Sequence, residues 1–162
     1  MLFGRRGWDR QPTAQAGVLL ASPGAPFSKE AVRRACELAA GQPVAVLSIL
    51  KVYGSTFGLP NPGLMPTRRE RDEQYRIVKR AITAVERRGG TADGQIAATR
   101  SAGRTIAKVA RRRGVRYVVM DEHELSGVRR ITEGSVTAIV RRRLAGAAEL
   151  ELTGVPAPDH RS

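Results

Sequence analysis

The stretch VRYVVMDEHELSGVRRITEGSV, Val115 to Val136, decides how this chain is read. Val115 to Met120 is short, apolar and rich in valine, which predicts a buried strand. Gly134 to Leu144 carries Val136, Ile139 and Val140 on one side at helical spacing, which predicts a helix. Gly134-Ser135 stands at that helix's start, where free backbone N–H groups and the helix dipole favour an anion. Asp121, Glu122 and Glu124 open the connection with the opposite chemistry. The segment is strand, polar loop and helix, with one half suited to a phosphate and one half not.

The same unit repeats toward the N-terminus. Val18 to Ala21 is an apolar run that stops at Ser22-Pro23-Gly24, a strand followed by a turn. Ser28 caps a helix whose apolar positions are Ala31, Val32, Ala35, Cys36, Leu38 and Ala39. Pro43 leads into a second strand, Val44 to Lys51. Tyr53 to Pro66 holds three prolines and three glycines and is a loop long enough to act as a lid. Thr67 caps a long helix to about Arg88, with Tyr75, Val78, Ile82 and Val85 inward, and Gly89-Gly90 ends it. Gln95 to Arg100 is a third strand. Ser101 caps a helix with Ile106, Val109 and Ala110 inward and Arg104, Lys108, Arg111 and Arg112 outward, ended by Gly114. Ala147 to Leu152 is a fifth strand. Apolar strands alternating with helices predict an α/β fold with a doubly wound, five-stranded parallel sheet covered on both faces. A ligand then belongs at the carboxyl ends of the strands, where the strand order reverses.

The chain has 162 residues, enough for one domain with its own core. Residues 1–16 read as a flexible basic arm, 17–152 as the domain and 153–162 as a disordered tail. Hydrophobic residues are 41% and aromatics 4%, so the core is built from Val, Leu, Ile and Ala. No apolar run reaches the roughly 20 residues of a membrane span. MLFGRRGWDRQPTAQAG does not resemble a signal peptide, and Cys36, the only cysteine, excludes an intrachain disulfide. The expectation is a cytoplasmic protein. Cys36 itself reads as a small core hydrophobe.

The net charge of +13 admits an anionic partner such as nucleic acid. Only Lys29, Lys51, Lys79 and Lys108 among the 28 basic residues are lysine, which points to an arginine-rich proteome rather than a selected patch. Arg111-Arg112-Arg113 and Arg141-Arg142-Arg143 fall in the last turns of two helices, where the dipole favours cations without any partner. Asp121-Glu122-His123-Glu124 reads as a solvated acidic loop rather than a metal site, because no second ligand cluster accompanies it.

The order of elements, with Gly134-Ser135 entering the last helix, resembles the universal stress protein family over Gly17 to about Leu152. The resemblance implies a Rossmann-like domain, of the adenine nucleotide alpha hydrolase-like kind, with strand order 3-2-1-4-5. It also implies dimerisation through the last strand and, in the nucleotide-binding branch, the motif G-x2-G-x9-G-[ST] after strand four. Gly134 and Ser135 match its end. Gly127 and Arg130 match the family's loop, Met120 stands where a family member touches adenine, and Val136 follows at the helix start. The first two motif glycines fall on Asp121 and Glu124, where a side chain and a negative charge replace open backbone. The acid that ends strand one in the family falls on Pro23, which offers neither carboxylate nor N–H.

The expectation is a non-enzymatic, universal stress protein-like homodimer with an altered crevice and weak or absent ATP binding. The alternatives are a protein that binds ATP or AMP with magnesium, with slow hydrolysis, and a basic nucleic-acid-binding protein. Arg100, Arg104, Arg129 and Arg130 around the crevice would favour the first of these alternatives.

Overall fold

The computed structural model describes residues 14–52, 65–122 and 136–154. The element order is β1 (Val18–Ser22), α1 (Lys29–Ala39), β2 (Val44–Lys51), α2 (Arg68–Arg87), β3 (Ala92–Thr99), α3 (Ala102–Arg113), β4 (Tyr117–Asp121), α4 (Val136–Leu144) and β5 (Glu149–Thr153). All four strand pairings are parallel, and the sheet order is β3-β2-β1-β4-β5. β1 is therefore the switch point, with β2 on one side and β4 on the other.

Successive strand residues point to opposite faces, so an unbroken apolar run feeds two cores at once. Leu19 and Ala21 join Leu47, Ile106, Val118, Met120 and Leu144 under α3 and α4. Val18 and Leu20 join Val46, Val78, Ile82, Val85 and Val119 under α1 and α2. Each buried Val, Leu, Ile or Met side chain among them contributes about 1.5–3 kcal/mol. α3 and α4 meet closely because Gly103 faces Ile139: a Cβ there would lie 2.7 Å from Ile139 Cγ2.

The caps explain where helices start. Ser28 Oγ accepts from the Ala31 N–H at 3.0 Å. Thr67 and Glu70 form a reciprocal capping box, the Thr67 N–H donating to Glu70 Oε2 at 2.6 Å and the Glu70 N–H to Thr67 Oγ1 at 3.2 Å. Ser101 stands at the N-cap of α3, but its hydroxyl makes no capping bond.

Several boundaries differ from the sequence reading. Val115 is not part of β4. Its N–H closes onto Ala110 O while Gly114, at φ 62°, closes onto Arg111 O, so both end α3. β3 starts at Ala92 rather than Gln95, because its backbone pairs along the whole of β2 from Val44 onward. β5 runs from Glu149 through the buried Thr153. On α2 the buried residues are Ile77, Val78, Ala81, Ile82 and Val85, while Tyr75 is half-buried. Arg113 is not a solvated cation at a helix end. It is 1% exposed, donates to both carboxylate oxygens of Asp93 at 2.9 and 2.5 Å, and bonds Ala14 O. Arg111 does serve a helix end, that of α4, by donating to Arg143 O. Among the described residues, no helix is long and apolar enough to cross a membrane.

Candidate functional site

The crevice lies at the carboxyl ends of β1, β4 and β5. At the end of β1, Ser22 Oγ donates to Ala25 O at 2.6 Å and accepts from the Gly24 N–H at 3.2 Å. Pro23 between them is exposed and adds no donor. Gly24 has φ 121°, a conformation that favours glycine, and a Cβ there would be crowded at 3.1 Å from Ile49 O. Gln74 on α2 fastens this turn. It donates from Nε2 to Gly24 O at 3.0 Å while its Oε1 accepts from Ser48 Oγ.

Across the crevice, Asp121 ends β4. Its Oδ2 accepts from the Ser28 N–H at 2.9 Å and its Oδ1 from Ser28 Oγ at 2.5 Å. Oδ1 also accepts from Thr153 Oγ1 at 2.8 Å. The half-buried carboxylate thus joins β4, the start of α1 and the end of β5, and each donor is matched by a charged acceptor. This corrects the reading of an acidic loop turned wholly to solvent: Glu122 is exposed, but Asp121 is held inside the fold. The Ser28 hydroxyl acts twice, donating to Asp121 and accepting from Ala31.

Met120 is 1% exposed and packs in the core beneath α3 and α4, so it offers the crevice backbone rather than its thioether. Val136 is the first residue of α4 and half-buried. Arg100 is exposed just past the end of β3, and Arg104 is exposed in the first turn of α3. Gly127, Arg129, Arg130, Gly134 and Ser135 lie outside the described residues, as do His123, Glu124 and the loop from Tyr53 to Leu64. Among the described residues, no group of three His, Cys, Asp or Glu side chains could hold a metal ion. The Asp121 carboxylate is engaged by three hydrogen bonds within the protein.

β5 closes one edge of the sheet. Leu150 and Leu152 pack half-buried on the α3–α4 core. On the other face Glu151 meets Arg34 of α1 at 3.4 Å, while Glu149 is exposed. The hydrogen bond to Glu151, with a second to Glu37, raises the Arg34 pKa further. The sequence reading named neither Thr153 nor Gln74 as a crevice residue. For Ser28 it saw the cap and not the partner.

The model of the universal stress protein family matches residues 18–145. The chain belongs to the universal stress protein family. The fold of this family member is similar to that of several solved relatives. A universal stress protein from Archaeoglobus fulgidus is 16% identical, with 86% of this chain and 93% of that one covered at a TM-score of 0.63. A universal stress protein family member from Burkholderia pseudomallei is 21% identical, with 90% and 100% covered at a TM-score of 0.61. A universal stress protein in complex with cAMP is 18% identical, with 86% and 96% covered at a TM-score of 0.60. No curated protein matches the chain.

Proposed function

We propose that this protein is a non-enzymatic, stress-responsive regulatory domain whose nucleotide crevice has been converted into a structural joint. One observation carries the reading. Asp121, at the first glycine position of the nucleotide motif, spends its carboxylate on Ser28 and Thr153. A phosphate approaching that backbone meets a side chain and a negative charge instead of open N–H groups. Pro23, facing it from β1, offers nothing to a ribose or an adenine. The protein works as a homodimer joined along β5, the strand that ends the sheet among the described residues, and it acts on other proteins from the cytoplasm.

The second reading is a nucleotide-binding protein, and its support is the relatives: solved universal stress proteins are in complex with dAMP and with cAMP. Its site would be Gly127, Arg130, Gly134, Ser135 and Val136 around the phosphates, with Met120 at the base, taking ATP or AMP with magnesium. Thermal unfolding with and without Mg-ATP and AMP separates the two. A nucleotide at a hundred times its Kd adds about 2.7 kcal/mol of stability. The first reading expects no change in the protein as it stands. It expects binding to appear when Asp121→Gly, Glu124→Gly and Pro23→Asp are combined. A folded triple variant that still ignores nucleotide would refute the assignment of the loss to these three positions.

A further inference from the structure

A second concave surface lies between α1 and α2 and adjoins the crevice at Ser28, which lines it. It is a groove of about 500 Å³. Phe27 and Ala84 line it half-buried, over Val32, Ile77 and Ala81. Alanine at 81 and 84 is what opens it, since larger residues at this spacing on α2 would fill the space between the helices. Lys29, Arg80, Arg87 and Arg88 stand around it, all exposed. Among the described residues none of these four side chains is in a salt bridge. Basic surface continues outward over Arg76 and Lys79 on α2. Apolar floor and single-sign rim occur together here.

We infer that this groove is a docking site for an acidic amphipathic helix of a partner protein. Its apolar side chains would enter between α1 and α2 while its carboxylates meet Arg80, Arg87, Arg88 and Lys29. Charge complementarity favours an acidic occupant, because a basic rim repels a basic one and gains little from a neutral one. The recess requires an occupant with projecting side chains. A bilayer surface is flat and is met by apolar residues that project, whereas the described surface has one exposed large hydrophobic residue, Met65, which is not in the groove. A nucleic-acid backbone would satisfy the arginines and leave the floor empty. A helix does both, through anchors at i, i+3 or i+4 and i+7. Arg80 and Arg87 match that period, standing about 10 Å apart along α2 at 1.5 Å per residue. The groove borders the crevice at Ser28, and the proposal does not depend on whether nucleotide binds there.

The probe is a fluorescent synthetic helix of about 18 residues with leucine on one face and glutamate elsewhere, held helical by a side-chain staple that the control shares, because neighbouring glutamates oppose the helix. Its binding to the full chain is followed by fluorescence anisotropy at physiological salt. A control peptide replaces every leucine with serine at the same charge, and single-stranded RNA serves as competitor. The leucine helix should bind saturably and at least about tenfold tighter than the serine control. Ala84→Phe, which fills the groove without changing charge, and the double change Arg80→Glu with Arg87→Glu should each weaken it about tenfold or more while leaving the unfolding transition in place. Absence of binding overturns the proposal. So does equal affinity for the serine control, insensitivity to Ala84→Phe, or full displacement by RNA, each of which means attraction to charge alone.

Discussion

Asp121 accepts two hydrogen bonds from Ser28, at 2.9 and 2.5 Å, across 93 positions of sequence. The contact makes the end of β4 part of the cap of α1, and Thr153 adds the end of β5 to the same carboxylate. Asp121 is thereby a knot between three elements, at the position where the proposed reading sets the first glycine of the nucleotide motif.

Asp121→Ala should therefore destabilise the domain, by about 2–3 kcal/mol, the scale of losing hydrogen bonds to a charged acceptor. Asp121→Asn keeps the shape and loses the charge, so its cost should be smaller. Urea unfolding of both variants checks this. A fully stable Asp121→Ala would mean that the three bonds do not matter to the fold.

Arg113 makes a second long-range tie, to Asp93 and Ala14. Its side chain is 1% exposed while that of Asp93 is 40% exposed, so removing the arginine leaves a carboxylate that water can reach. Arg113→Ala should cost roughly 2–4 kcal/mol, mostly through lost packing and the orphaned Ala14 carbonyl. Arg113→Met should recover part of it. Equal loss in both variants would assign the whole effect to charge.

Gly103→Ala tests how closely α3 and α4 pack. The new methyl would sit 2.7 Å from Ile139 Cγ2 and 3.2 Å from Val136 O. Overpacking of this kind costs about 1–3 kcal/mol. The pair Gly103→Ala with Ile139→Ala, which removes the crowding Cγ2, should be less destabilised than the two single effects added, as a double-mutant cycle in chemical denaturation would read out.

The capping box of α2 gives a pH signature. The backbone bond from Thr67, followed by its hydroxyl bond, holds the Glu70 carboxyl below the ordinary glutamate range. The unfolded chain then takes up the proton more readily than the folded one. The stabilisation is complete above the unfolded value and fades as pH falls through the folded value. Glu70→Gln should flatten the acid limb of the Tm profile and leave the neutral region little changed. A mutant whose acid limb is unaltered would contradict the box as a source of stability.

Much of this was legible in the sequence because it is local. Val18 to Ala21 announces a strand buried on both faces, and Ser28 and Thr67 announce helix starts. The departures at Pro23 and Asp121 could be seen by their residue types alone. What they do could not, since Ser28 and Asp121 meet only after the sheet has formed, and no local pattern encodes a partner so distant in the chain. Arg113 was a different kind of miss. It follows Ile106 and Ala110 at the spacing of the inward face, so its burial was written in the helix period and was outweighed by the presence of two exposed arginines beside it. β3 was set late because Ala92-Asp93-Gly94 lacks strand-forming side chains, and its pairing with β2 supplies the order instead.

The most direct test of the account is the unfolding temperature of the unaltered protein at millimolar Mg-ATP, with AMP and cAMP in parallel. The account predicts no saturable shift with any of the three, because Asp121 and Pro23 occupy the ground a nucleotide needs. A saturable, concentration-dependent rise in Tm would contradict it and return the crevice to the nucleotide-binding members of the family.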